Sequence, residues 1–196
     1  MAIVCYQWTH GVREWITLLG SEVYSDAFVD LEQYANNVYV VVNAVTPKYS
    51  TNSSQTDIFY YKMRSENGVI SLSEIFGSTG DDKVLDLAVS FNGIYMYAHI
   101  NGPFNPHRDN DKQWKTLGNG TNLALIHLDF EDLILDIEAM DFKKPSSSDY
   151  INPYPMKLFL IRSTDVQQNF IFVTHRTNEE VDRKGGIYIT YYNNAS

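Results

Sequence analysis

The chain has 196 residues, 44% hydrophobic and 14% aromatic, enough for a packed core in a single domain and unlike a disordered chain. A formal net charge of −9 argues against nucleic acid or an anionic membrane as partner, since neither polyanion gains from an acidic surface. The single cysteine, Cys5, excludes an intrachain disulfide, and no apolar run approaches the roughly eighteen residues of a membrane-spanning helix, so membrane insertion is not expected.

The first element along the chain is a strand at residues 2–8 (AIVCYQW), in which Cys5 reads as a buried, inert thiol. The opening residues show no basic start followed by an apolar run, so no signal peptide is read there. Residues 11–43 read as three more short strands, with Asn36 at the last turn. A second leading strand at 57–63 (DIFYYKM) precedes the clearest stretch, 68–101, where Val84, Leu85, Leu87 and Val89 are split from Ile94, Tyr95, Met96 and Tyr97 by Asn92-Gly93. Asn-Gly between two apolar runs is a strong hairpin signal. A third leading strand at 122–128 (NLALIHL) is followed by strands at 133–142, 156–162 and 169–175 (NFIFVTH). The extra length here is loop, chiefly 143–155 (KKPSSSDYINPYP), whose prolines and serines forbid a regular ladder. A fourth leading strand stands at 186–192 (GIYITYY). Because the chain opens on one strand and stops after another, it reads as a segment of something longer.

These elements recur. Laying 11–43 on 68–99 matches Gly11-Val12 with Gly68-Val69, Trp15 with Leu72, Leu19-Gly20 with Phe76-Gly77, Asp26 with Asp82, Asp30 with Asp86, and Asn36 with Asn92. The leading strands begin at Ile3, Ile58, Leu123 and Ile187. Self-similarity at such a period points to a repeat architecture, and tandem antiparallel meanders of this size stack radially as β-propeller blades. A pair of stacked sheets is the alternative, but a sandwich usually needs longer Greek-key crossings. The expected fold is therefore all-β and of β-propeller type, built of tandem four-stranded antiparallel blades. These would lie at about 2–45, 57–101 and 122–176, with the first strand of a further blade at 186–192. Three blades and one strand fall short of the four to eight that usually close a ring.

Residues 68–100 resemble the SBBP-type β-propeller repeat: Asp57, Lys62, Gly68, Gly77, Asp81, Asp82, Gly93 and Tyr95 fall on its pattern, and Trp15 takes its tryptophan in the first unit. The likeness covers about 1–100 closely and 122–192 loosely. It implies a scaffolding or binding protein of a cell or particle surface, and no catalytic residues, because such repeats share none.

Candidate site residues are few. His99 and His175 end equivalent strands, with Asn43 in the first unit, and a polar ring at one propeller end would line a ligand site. His10, His107 and His127 have no metal-ligand spacing with one another or with Cys5. Asp109 and Asp111 offer carboxylates in a polar loop, though the glycine and twelfth-position glutamate of a calcium loop are missing. Asp81 and Asp82 read as turn residues, and Asp30 and Asp86, a unit apart, as structural rather than as a catalytic pair. Asn52, Asn119 and Asn194 head N-x-S/T sequons, which would carry glycans in a secreted protein. No phosphate-binding loop, nucleophile elbow or zinc-protease motif is present, and no cofactor is expected.

The expected function is a non-enzymatic structural or adhesive module, extracellular or on a particle surface, that self-associates or joins a larger assembly through open blade edges. The alternative is a fragment of a larger propeller that binds carbohydrate or peptide at one rim. Loops 46–56, 101–121 and 143–155 would shape that site, with Trp114, Tyr150 and Tyr154 supplying stacking and hydrogen bonds. A hydrolase or lyase on the same scaffold ranks below both.

Overall fold

A computed structural model describes residues 1–19, 26–45, 55–78, 80–91, 93–102, 121–131, 134–140, 154–161, 169–176 and 186–193, the last four segments as backbone alone. The described residues are all-β, with thirteen strands in four antiparallel sheets. The first sheet is the hairpin β1 (Ala2–Tyr6) and β2 (Arg13–Leu18). The second runs β3 (Asp26–Tyr34), β4 (Asn37–Val45), β5 (Thr56–Arg64) and β6 (Ile70–Phe76) in chain order, and the third β7 (Lys83–Ser90), β8 (Gly93–Asn101), β9 (Thr121–Leu128) and β10 (Ile134–Met140). The fourth has three strands, β11 (Tyr154–Ile161), β12 (Asn169–Arg176) and β13 (Gly186–Asn193). No helix among the described residues is long and apolar enough to cross a membrane.

The strands fall where alternation and turn chemistry place them, but the sheets break elsewhere. The expected groupings 2–45, 57–101 and 122–176 each straddle two sheets: β4 pairs with β5 over nine residue pairs, Asn37↔Arg64 to Val45↔Thr56, while β2 and β3 are not paired. The physical reason is that a periodic pattern carries a period and no phase. Nor does 186–192 open a new sheet; β13 pairs with β12 from Asn169↔Asn193 to Arg176↔Gly186, as the third strand of the last sheet.

Equivalent positions share backbone geometry. Gly11 and Gly68, at φ 62° and 69°, occupy the left-handed region that a Cβ disfavours. In one hairpin Gly11 N–H donates to Gln7 C=O and Gln7 N–H to Val12 C=O, both at 2.8 Å; in the other Gly68 N–H donates to Arg64 C=O and Arg64 N–H to Val69 C=O, both at 2.9 Å. Registers agree too: Cys5↔Trp15 and Tyr6↔Arg13 flank a bulge, as do Lys62↔Leu72 and Met63↔Ile70. This register places Ile3 opposite Thr17 where Tyr60 stands opposite Glu74, so the counterpart of Ile3 is Tyr60 and not Ile58. A second bulge recurs in the first strand of the second, third and fourth sheets, at Phe28/Asp30, Val84/Asp86 and Pro155/Lys157.

Two apolar layers hold consecutive sheets face to face. Val38, Val40, Val42, Tyr61 and Met63 of the second sheet are buried with Ile3 and Trp15 of the first packed against them. The opposite face of the second sheet, with Tyr39, Val41, Ile58 and Tyr60, packs on Ile94, Met96, Ala124, Ile126 and Leu128 of the third. The first strands of the three larger sheets also adjoin, β7 lying against both β3 and β11. Asn43 ties two of these sheets: its Nδ2–H donates to Val84 C=O and its Oδ1 accepts from Val84 N–H, each at 2.8 Å.

Candidate functional site: the uncovered face of the first sheet

Strand side chains alternate between faces, so each sheet has two: a leading face, on the side that packs on the preceding sheet in the second and third sheets, and a trailing face opposite it. In the first sheet the trailing face carries Ile3, Cys5, Trp15 and Thr17, of which Ile3, Trp15 and Thr17 meet the second sheet or its hairpin. Trp15 Nε1–H donates to Ser65 C=O at 2.9 Å and Thr17 Oγ–H to Gly68 C=O at 2.6 Å. The leading residues are Val4, Tyr6, Ile16 and Leu18, and all four are exposed, Tyr6 at 60% and Leu18 at 74%. Their counterparts tell a different story. Tyr61, in the register place of Val4, is 6% exposed, and Met63, in that of Tyr6, is 0% exposed. On the outer strand β6 carries exposed Ser73 where β2 carries Ile16, so at this position the open sheet is the more apolar.

The hairpin tips repeat the contrast. Trp8, Ser65 and Phe130 each stand two residues beyond the last residue that pairs with the following strand, Tyr6, Met63 and Leu128. Phe130 reaches the second sheet, stacking on Tyr34 at 5.3 Å between ring centroids and 9° between planes, and its C=O accepts from Lys62 Nζ at 2.6 Å. Ser65 likewise grips the first sheet through Trp15. Trp8 is 98% exposed. An exposed tryptophan beside four exposed large apolar residues forms a patch of the kind that marks an interaction surface.

The polar candidates are engaged in structure. Asn43 is committed to the Val84 backbone rather than to a ligand. His99, half-buried, holds its register place opposite Lys83 and Leu123, and His175 the same place opposite Tyr154 and Ile187; the residue matching Val84 there is Pro155, which has no N–H for an Asn43-like clamp. His127 stacks on Tyr95 at 4.2 Å. Asp81 Oδ1 accepts from Thr56 N–H at 2.9 Å. Asp82, fully buried, accepts from Ser78 N–H, from Ser78 Oγ–H at 2.9 Å and from Asn101 N–H at 2.8 Å, as turn chemistry predicts. Burial raises the Asp82 carboxyl above its ordinary pKa against the opposing pull of these donors. Burial also raises the Tyr97 phenol, which therefore stays neutral.

Asp30 and Asp86 each follow the recurring bulge, Asp30 accepting from Leu31 N–H at 2.8 Å. Cys5 is half-buried rather than buried; desolvation and the nearby Glu14 carboxylate raise its pKa, which leaves a poor nucleophile. The described residues contain no group of three or more His, Cys, Asp or Glu able to hold a metal ion. Asp109, Asp111, Trp114, His107, Tyr150, Asn52, Asn119 and Asn194 lie outside the described residues. The alternation of β1 and β2, apolar on both faces (Ile3, Val4; Trp15, Ile16), is the sequence signal that could have singled out the open face. No protein-family model matches the chain, and no curated protein matches it.

Proposed function

We propose that this chain is a non-enzymatic structural or adhesive module of the β-propeller type, with SBBP-like repeats, that assembles at a cell, virion or filament surface. The observation that carries the reading is the open leading face of the first sheet, whose counterpart in the second sheet is sealed by the sheet before it. A stack of like sheets, face to face with their first strands adjoining, supports the propeller reading, and such a stack has two end faces that cost free energy in water. The second end is the three-stranded sheet, whose β13 has one edge unpaired among the described residues. A structural role also suits the polar groups, since Asn43, Asp81 and Asp82 each hold backbone partners from elsewhere in the chain. Light scattering on the purified chain tests the reading: assembly gives a particle several times 22.5 kDa, and a 22.5 kDa particle at all concentrations overturns it.

A further inference from the structure

We infer that the open leading face of β1–β2, with Trp8 at its tip, docks head to tail onto the trailing face of the β11–β13 sheet of a second copy. This rests on the assembling-module reading and names its partner surface. The stack itself identifies the occupant. Leading face on trailing face is the contact already made twice within the chain, first sheet to second and second to third.

The far end of the chain presents the matching register. Tyr95 and Tyr97 of β8 lie on the trailing face, and Ile171 and Val173 of β12 occupy their places; Leu123 and Leu125 of β9 are matched by Ile187 and Ile189 of β13. The tip has a counterpart as well. Phe130 seats over Tyr34 and Tyr39, beside Lys62. The last sheet has Ile161, Ile171 and Tyr191 at those three register positions. At the tip's three register positions the last sheet carries two isoleucines and a tyrosine in place of Tyr34, Tyr39 and Lys62, while Lys157, paired with Val173, falls on the same face. Because the two surfaces differ, the contact is heterologous: it closes a ring if the rotation between copies divides a full turn, and otherwise builds a filament.

Mixing two blocked chains tests this. Leu18→Asp blocks the leading face, and Ile189→Asp the trailing face. Each variant should run at 22.5 kDa in light scattering with its circular dichroism unchanged, and an equimolar mixture should give a particle of two chains, because one good contact survives between them. A Leu18→Asp chain that keeps the wild-type mass overturns the inference while leaving the assembling module standing. An Ile189→Asp chain that stays assembled while Leu18→Asp does not also overturns it, since the first sheet then pairs with itself. Wild type at 22.5 kDa removes both the inference and the reading beneath it. Should Leu18→Asp lose its fold, Trp8→Ala replaces it: at 98% exposure Trp8 supports no packing within the chain, and its loss should still weaken assembly at least about tenfold.

Discussion

Gly11 and Gly68 form a matched pair for measuring how tightly the second hairpin is seated on the first sheet. Both take left-handed backbone, at φ 62° and 69°, so an alanine at either place costs about 1–2 kcal/mol from the backbone alone. Their surroundings differ completely. A Cβ on Gly11 meets nothing within 4 Å, whereas a Cβ on Gly68 would lie 2.5 Å from Thr17 Oγ1 and 2.5 Å from Trp15 Cε3. Relief requires moving the Trp15 ring, which is held by its 2.9 Å hydrogen bond to Ser65, or the Thr17 hydroxyl, held at 2.6 Å by Gly68 itself. Overpacking of that kind adds about 1–3 kcal/mol. Gly11→Ala should therefore destabilise by about 1–2 kcal/mol and Gly68→Ala by about 2–5 kcal/mol, a large share of the roughly 5–15 kcal/mol available to a domain. Urea unfolding followed by tryptophan fluorescence reads both, and thermal midpoints should separate by about 2–4 °C for each kcal/mol of difference. Equal costs, within about 0.5 kcal/mol, would show that the hairpin does not press on Trp15 and would undo the face-to-face stacking of the first two sheets.

Asn43→Ala should cost about 1–3 kcal/mol, because it leaves both backbone groups of Val84 without their partner. Amide exchange at Val84 should speed up more than at its neighbours in β7. Asp82→Asn should destabilise at neutral pH, since the amide nitrogen that replaces one carboxylate oxygen turns a donor toward a donor in the Ser78–Asp82–Asn101 cluster. The pH dependence has a definite sign: the folded pKa of Asp82 is raised, so the unfolded chain loses this proton first. Its contribution is full below the ordinary carboxylate pKa and is lost as pH rises through the folded value. The stability of wild type relative to Asp82→Asn should therefore fall with rising pH in the acid range and level off above it; a difference that rises instead would mean that the three donors outweigh desolvation. Iodoacetamide should label Cys5 slowly at neutral pH, and faster in Glu14→Gln, which removes the charge that holds the thiol protonated.

Much of the fold was legible because its causes are local. Alternation across two faces and Asn-Gly and Gly-Val turns depend on neighbours a few residues away, and they placed β1, β5 and β7 to β13 to within a few residues; the prolines of 143–155 read as loop, yet Tyr154 and Pro155 pair in β11. The matching of Gly11 with Gly68 was legible as well, since only a backbone at positive φ makes glycine the favoured residue at both. The partner of Asn43 was not legible for a related reason: its amide goes to Val84, forty-one residues away, a partner that no local pattern names.

What the chain's order of residues determined alone is a set of short antiparallel ribbons recurring at a near-constant interval. The tertiary structure decided where one sheet stops and the next begins, and hence which apolar face has no cover. A repeating pattern is the same wherever counting starts, so the boundary depends on which loops let adjacent ribbons pair, as β4 does with β5 and β2 does not with β3. Leu18 and Ile75 occupy the same register place, yet Leu18 is 74% exposed, because among the described residues no sheet packs on the leading face of the first.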